Sequence, residues 1–370
     1  MWAQTTRNIV FSIVTLLLFI SCSSDIESEN RSQFDDIPIT DISLISEFDQ
    51  SGEHYFQFLN SNSMSLSNGD VILNDREGEF IILIDETGEF IRKVSRSGRG
   101  PGEVQDPLTV KPVDDSSILI FDQERNTVTR KTLDSSVIQE YHPPTSAPLQ
   151  VSGASPTQNK DVITLLWWDP SFMMDENEES RTIFKSYDVE TEEILHRADY
   201  PGETRARVFD DGRVVGAVLV PFVGDLLYNH SPIDHQLYVF WSDNSEIAVL
   251  DPIEFDTLRT IPVNLPSERL TNAERDSLQD EFRSNVWSTA EDKLPDQKTP
   301  AEEMLIDHQN RLWLKLTLRS EHQEWIVLNQ DGEPEMRVQL PKEGILTHVS
   351  EHHIGFRADD HLFALYELVE

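Results

Sequence analysis

Short apolar runs separated by turn residues recur along the chain. Three of them follow one another at residues 68–75, 79–85 and 88–94, with Gly, Asp and Asn between them. Runs of four to eight β-branched and aromatic residues bounded by turn signals are typical of β-strands. The same pattern returns at regular intervals along the rest of the chain, which predicts an all-β fold built from repeated sheets.

We predict six such repeats, which begin near residues 55, 108, 149, 213, 303 and 345. In the fourth repeat, we assign the innermost strand to residues 214–220. The last repeat has only three strands, whereas residues 39–48 form a spare strand. Pairing this strand with residues 362–369 closes the ring and removes both exposed sheet edges. The prediction is therefore a six-bladed β-propeller closed by an N-terminal strand, within one domain of residues 37–370.

A helical insertion interrupts the repeats at about residues 267–299. Thr271 and Glu274 fit a capping box, the pairing that starts a helix. Apolar residues then recur at helical spacing in a polar stretch, at Leu278, Phe282, Val286 and Ala290. The sequence predicts one inserted amphipathic helix. Its apolar stripe serves either as a cover packed on the propeller or as a functional lid or partner surface.

The N-terminal segment has the pattern of an export signal. Residues 1–21 contain an apolar run shorter than the ~20 residues of a membrane span, which predicts a signal peptide. Phe19-Ile20-Ser21-Cys22 resembles the lipobox of bacterial lipoproteins, and Cys22 is the only cysteine. We therefore predict lipidation of Cys22, with ordinary secretion or an uncleaved anchor as alternatives. The polar residues 22–36 predict a flexible acidic tether.

The chain is strongly acidic, with a formal net charge of −37. Because affinity for nucleic acid depends on cationic contacts to phosphate, this charge argues against a nucleic-acid partner. It is compatible with simple solubility or with a preference for calcium or a cationic ligand. The cofactor is therefore unknown, with a divalent metal such as calcium as one possibility.

One loop gives a resemblance to a known family. The loop Gly98-Arg99-Gly100-Pro101-Gly102-Glu103, the strand before it and the lipoprotein-like start resemble the six-bladed β-propeller lipoproteins of Bacteroidetes-like bacteria, relatives of the NHL-repeat propellers. The resemblance implies a propeller fold and a lipid-anchored location in the cell envelope, at the outer membrane. It implies little chemistry.

The same loop is a candidate ligand site. Glycines at Gly98, Gly100 and Gly102 allow backbone N–H groups to converge, and Arg99 adds a cation, so the loop could hold an anion. The alternative is a plain turn between blades, in which Arg99 and Glu103 pair with each other or with neighbours.

Three further residues are weak candidates for a metal site: His230, Asp234 and His235. They merit attention because NHL-like lyases hold a metal on the propeller axis through histidines. Their spacing matches no recognised ligand signature, and solvated loop histidines are the alternative.

Aromatic and acidic strand ends complete the candidates. Trp167 and Trp168 are adjacent in a strand and so face opposite sides, which predicts that one is core and that Trp168 could stack on a ligand.

Asp75 and Asp122 each end the second strand of a repeat. We assign both to hydrogen bonds with turn backbone rather than to catalysis.

The sequence favours a binding protein over an enzyme, because no nucleophile elbow, P-loop, dinucleotide fingerprint or zinc-protease helix is present. We expect an envelope lipoprotein whose propeller binds an unknown ligand or protein partner. The alternatives are a metal-dependent lyase or hydrolase with an axial active site, and a passive structural lipoprotein within an envelope complex.

Overall fold

The structure is a computed structural model that describes residues 34–61, 63–145, 149–173, 179–210 and 213–369. In chain order, the strands are β1 (Ile39–Thr40), β2 (Ile42–Phe48), β3 (Gln50–Ser51), β4 (His54–Tyr55), β5 (Met64–Ser65), β6 (Val71–Asp75), β7 (Phe80–Ile84), β8 (Phe90–Ser95), β9 (Pro107–Asp114), β10 (Ser117–Asp122), β11 (Thr127–Thr132), β12 (Val137–Tyr141), β13 (Gln150–Pro156), β14 (Val162–Asp169), β15 (Arg181–Asp188), β16 (Glu193–Pro201), β17 (Arg205–Asp210), β18 (Arg213–Leu219), β19 (Leu226–His230), β20 (Leu237–Trp241), β21 (Glu246–Leu250), β22 (Thr257–Pro262), β23 (Ala301–Ile306), β24 (Leu312–Leu316), β25 (Gln323–Leu328), β26 (Pro334–Leu340), β27 (Ile345–Val349), β28 (Ile354–Arg357) and β29 (Phe363–Leu368).

Within the described residues, these strands form a propeller of six antiparallel blades, as predicted. Blade 1 is β5–β8, blade 2 is β9–β12, blade 3 is β13–β16, blade 4 is β19–β22, blade 5 is β23–β26, and blade 6 is β27–β29 with β2. The first strands of neighbouring blades contact one another, as β9 contacts β13 and β27 contacts β5. The first strand of each blade is therefore the innermost one, and the first strands surround the propeller axis.

The predicted ring closure is confirmed. Strand β2 pairs antiparallel with β29, from Ile42 opposite Leu368 to Phe48 opposite Phe363, with a register shift between Leu44 and Ser46. The prediction that residues 39–48 act as one strand is wrong in one detail. Strand β1 pairs in parallel with β26 of blade 5, so the short break at Asp41 lets the chain tie two blades together.

The predicted innermost strand of blade 4 is also wrong. Residues 213–219 form β18, which pairs with β17 in a separate two-stranded hairpin between blades 3 and 4. The innermost strand of blade 4 is β19, which pairs with β20. The apolar pattern of residues 214–220 identifies a strand but contains no information about which strand it pairs with. This error matters because β19 carries residues that face the axis.

Apolar side chains fill the wedges between neighbouring blades. Ile72 of blade 1 packs with Ile118 of blade 2, and Trp313 of blade 5 packs with Phe356 of blade 6. The wedge between blades 3 and 4 contains a smaller buried set around Phe184 and Leu237. The core of the protein is therefore a ring of interfaces, and these interfaces differ in how well they are filled.

The helical insertion contains two helices, α1 (Asn272–Glu281) and α2 (Ser284–Ala290), where the sequence predicted one. The capping box at Thr271 and Glu274 is present. Phe282 has an extended backbone that ends α1, and its side chain packs against the apolar cluster of the insertion. This cluster includes Trp287 and Ala206, so the insertion packs on the β17–β18 hairpin.

Candidate functional site

The first strands of all six blades surround a cavity of about 360 Å³ on the propeller axis. We call it the axial cavity. Its wall combines apolar surface with polar groups, among them four histidines, His230, His235, His308 and His348. Because loops and inner strands from every blade meet here, the axis is where this fold can gather side chains that are distant in sequence.

Lys111, in the innermost strand of blade 2, lines the axial cavity. Burial lowers the pKa of its amino group. Among the described residues, its amino group has neither an ion-pair partner nor a hydrogen-bond partner. The two carboxylates on the same cavity, Glu302 and Glu303, are held by Lys315 at 3.0 and 2.7 Å. Within the described part of the chain, Lys111 is therefore an amino group without a counter-ion.

A second cavity of about 340 Å³ adjoins the axial cavity at the junction of blades 3 and 4. We call it the junction cavity. Lys111, Tyr228, Asn229 and His230 line both cavities. These four residues form a shared wall, which we call the partition. The Asn229 side-chain amide donates to the backbone oxygen of Met304 at 3.2 Å, which fixes this part of the partition.

The other two members of the partition are held in their neutral forms. Burial, with the charges of Lys111 and His235, lowers the pKa of His230 to about 3. Burial also raises the pKa of Tyr228 to about 12, helped by the nearby carboxylates Glu203 and Asp225. At neutral pH, therefore, Tyr228 carries a hydroxyl proton and the His230 ring carries one N–H. Each can donate a hydrogen bond.

Two of these cavity histidines, His308 and His348, lie near a further histidine, His353, where blades 5 and 6 meet. The rings of His348 and His353 are 5.3 Å apart, and His308 meets the backbone oxygen of Val349 at 3.0 Å. Burial and then the charges of its histidine neighbours hold the pKa of His348 well below its usual value. For His353, burial lowers the pKa to about 4. The imidazoles of His348 and His353 are neutral at physiological pH.

The predicted metal candidates are only partly brought together. His230 and His235 both line the axial cavity. Asp234 faces elsewhere, since its carboxylate accepts hydrogen bonds from the Gln236 backbone at 3.1 Å and the Asn310 amide at 3.4 Å. In the described part of the chain, no group of three or more His, Cys, Asp or Glu residues has the geometry of a metal site.

The glycine loop lies away from the axis, between β8 and β9. Its converging backbone N–H groups already have carboxylate partners: the Gly100 N–H donates to Glu103 at 2.8 Å, and the Gly102 N–H donates to Glu140 at 3.2 Å. The Gly100 N–H and then Arg96 lower the pKa of Glu103. Arg99 is exposed. The carboxylates of the protein itself thus occupy the positions that an external anion would need.

Gly98 and Gly102 have positive φ angles, and a side chain at Gly102 would collide with Val137. Lys131 donates to the backbone oxygens of Val94 and Gly102 at 2.7 and 2.8 Å. These contacts tie the loop to blade 2, which is what a tight turn between blades requires.

Trp167 is buried, and Trp168 is half-buried beside the β17–β18 hairpin. The Trp168 ring meets Phe172 edge-on at 6.3 Å, and the Arg205 guanidinium lies 5.9 Å from it. Trp168 lines neither the axial cavity nor the junction cavity.

Asp75 and Asp122 have the structural role that the sequence predicts. Asp75 accepts from the Gly78 backbone at 2.8 Å, and Asp122 accepts from the Arg125 backbone at 2.9 Å. Each carboxylate also accepts from the loop that enters its blade, at Phe58 and Gln105 respectively.

The sequence reasoning missed Lys111, Tyr228 and the histidines of blade 6. The sequence does contain an indication for Lys111, because it is the only basic residue in the inner strand of blade 2. Tyr228 and His230 could not be placed, because the sequence pattern puts His230 in a turn and assigns the inner strand of blade 4 to residues 214–220. Because β18 was assigned as the inner strand, the residues of β19 that face the axis were not recognised.

A six-bladed β-propeller with an axial cavity is the class of protein that the fold and site define. No family model matches the chain, and no curated protein matches its sequence. The fold is similar to that of a member of the DUF4221 family from Bacteroides vulgatus, with a TM-score of 0.51 and 12% identity over 89% of this chain and 99% of that one. A candidate exported protein from Bacteroides fragilis is also similar, with a TM-score of 0.47 and 12% identity over 89% and 96% of the two chains. The first similarity supports the fold alone.

Within the described residues, no helix has both the length and the apolar character needed to cross a membrane. Cys22 and the predicted signal peptide lie outside the described residues.

Proposed function

We propose that this protein is an exported, lipid-anchored β-propeller that binds a small ligand in its axial cavity. The observation that carries this proposal is the axial cavity itself. At about 360 Å³, it falls within the size range of small-molecule sites. Its wall combines apolar surface with polar groups contributed by several blades, which is the composition that gives a ligand both affinity and orientation.

Binding is favoured over metal-dependent catalysis. His230 and His235 reach the axial cavity, but Asp234, the third residue of the candidate set, does not. A hydrolase or lyase that uses an axial metal needs at least three converging ligands. The donors around His230 are better suited to holding a polar group of a ligand.

The envelope location is supported by the sequence pattern of residues 1–22. If Cys22 is the lipid attachment point, Cys22→Ala should release the protein from the membrane fraction into the soluble fraction of the envelope. Continued membrane association of the Cys22→Ala protein would refute lipid anchoring.

The binding proposal is tested with the detergent-solubilised mature protein and a panel of sugars, sugar acids, amino acids and aromatic acids. Ser61 is exposed at the axial cavity, so Ser61→Trp should block it without disturbing the core. Ser245→Trp, in an exposed turn of blade 4, is the matched control. A ligand of the cavity should raise the melting temperature of the unaltered protein and of Ser245→Trp, but not of Ser61→Trp. Absence of any binding, or binding that survives Ser61→Trp, would contradict the proposal.

A further inference from the structure

The charge of the junction cavity is opposite to that of the whole protein. The chain has a formal net charge of −37. Yet no acidic residue lines the junction cavity among the described residues, and Lys111 is the only Lys or Arg residue on its wall. Desolvation disfavours the charged form of an amino group without a partner, and an anion that enters the cavity would stabilise that charged form by pairing with it.

The groups of the partition that lack partners match an acceptor-only ligand. The Nε2 atom of His230 is buried and has no hydrogen-bond partner among the described residues. The Tyr228 hydroxyl and the Lys111 amino group likewise have no hydrogen-bond partner there. A carboxylate offers two acceptor oxygens and no donor, so it can accept from an ammonium, a phenol and an imidazole N–H at once.

The nearest acids do not supply this partner from within the protein. Glu203 and Asp225 lie close enough to Tyr228 to raise its pKa, but neither lines the junction cavity. Glu203 forms an ion pair with Arg205. The carboxylates on the axial side of the partition, Glu302 and Glu303, are held by Lys315.

The rest of the junction-cavity wall combines polar side chains, from Thr109, Ser152, Ser155 and Thr164, with apolar ones. Leu108, Leu166 and Phe184 line it, and the Phe184 ring meets Tyr228 edge-on at 5.2 Å. An aromatic ring gains from edge contacts of this kind in addition to the area that it buries. The cavity therefore offers large apolar side chains on which the body of a ligand can pack, and donors on the partition for its head.

We propose that the junction cavity binds an organic acid with an apolar body, whose carboxylate pairs with Lys111 and accepts hydrogen bonds from Tyr228 and His230. This inference goes beyond the proposed function, because it adds a second site beside the axial cavity and specifies the chemical class of its ligand. The body of the acid packs on Leu166 and Phe184.

The test compares phenylacetate with phenylacetamide, which has nearly the same shape but no charge. Calorimetric titration of the full-length, detergent-solubilised protein should show phenylacetate binding at least about tenfold more tightly than the amide. Lys111→Met retains the length of the side chain and removes its charge, so it should remove this preference. Lys293→Met, at an exposed position of the insertion, should bind phenylacetate as the unaltered protein does.

Equal binding of acid and amide, absence of phenylacetate binding, or full binding by Lys111→Met would overturn the inference. The comparison of the two ligands on the unaltered protein needs no variant, so it decides the matter even if Lys111→Met fails to fold. If neutral ligands of the panel bind in a manner that Ser61→Trp blocks while phenylacetate does not bind, the inference fails and the proposed function stands. If no member of either set binds, both fail.

Discussion

The junction of blades 5 and 6 and the junction of blades 3 and 4 occupy equivalent positions in the ring but are built differently. Trp313 and Trp325 fill the first, and both indole N–H groups are satisfied, by Asp307 at 2.9 Å and by Gln323 at 3.2 Å. The second has Phe184 as its largest fully buried side chain, and a cavity of about 340 Å³ lies beside it.

The difference shows how a propeller makes room for a ligand without opening its ring. The space between two radial sheets widens with distance from the axis, so large side chains are needed to fill it, as the two tryptophans do. Where the side chains are smaller, a cavity remains. The β17–β18 hairpin is inserted into the chain at this second junction, between blades 3 and 4. We infer that looser packing at the junction of blades 3 and 4 leaves room for the proposed ligand, while the junction of blades 5 and 6 supplies stability.

Trp313→Ala should destabilise the protein more than any other single substitution at the two junctions. The side chain is fully buried, and its loss leaves both a large void and an Asp307 oxygen with one donor fewer. We expect the free energy of unfolding to fall by about 3–5 kcal/mol. Chemical denaturation of the variant measures this value, and Phe184→Ala provides the comparison at the looser junction. A larger loss for Phe184→Ala than for Trp313→Ala would reverse the comparison.

The same substitution should have opposite effects at the two junctions. Leu340 is fully buried between blades 5 and 6, so Leu340→Phe should overpack that junction and cost about 1–3 kcal/mol. Leu166 lines the junction cavity, so Leu166→Phe should fill open space and stabilise the protein by about 0.5–1 kcal/mol. Melting temperatures and denaturation curves of the two variants provide the check. A similar loss in both would mean that the junction cavity is not available space.

Acid should weaken the blade 6 side of the ring through its buried histidines. The pKa of His353 is lowered to about 4, and that of His348 is also below the ordinary 6.5. Burial is the main cause for both. The charges of His353 and His308 also disfavour protonation of His348, and those of His352 and His308 disfavour protonation of His353. Below pH 6.5, the unfolded chain therefore binds protons that the folded protein excludes, and stability falls as the pH falls toward about 4.

Removing one of these imidazoles should make stability less sensitive to acid. His353→Gln should reduce the dependence of unfolding free energy on pH between these limits by up to about 1.4 kcal/mol per pH unit. The exposed His322 offers a control, since His322→Gln should leave the dependence unchanged. Urea unfolding at several pH values gives the slopes. Identical slopes for His353→Gln and the unaltered protein would show that His353 is protonated equally well in the folded state.

The repeat pattern was enough to predict the architecture, because strand rhythm and turn chemistry are local properties. The spare strand near the N-terminus and the short final repeat together predicted the closure between β2 and β29. The roles of Asp75 and Asp122 were likewise predictable, since each depends on turns a few residues away. The capping box at Thr271 is local in the same sense.

The site was harder to predict, because it depends on which strand of each blade is innermost. The apolar patterns of β18 and β19 fit an inner strand equally well. The two differ only in the strands with which they pair, β17 for β18 and β20 for β19. Lys111 lines the same cavity as His230 and Tyr228, although these two residues lie more than a hundred positions further along the chain. A local sequence pattern cannot predict such a contact. The composition of the glycine loop suggested an anion site, but the Gly100 and Gly102 N–H groups donate to Glu103 and Glu140 of the protein itself.

The pairing of β2 with β29 has a consequence for biosynthesis. Strand β2 is synthesised long before its partner β29, so blade 6 stays incomplete until β29 has been made. Pairings between distant parts of a chain form slowly, and the entropy of bringing them together is lost before any contact compensates for it. The ring therefore cannot close until β29 has left the ribosome.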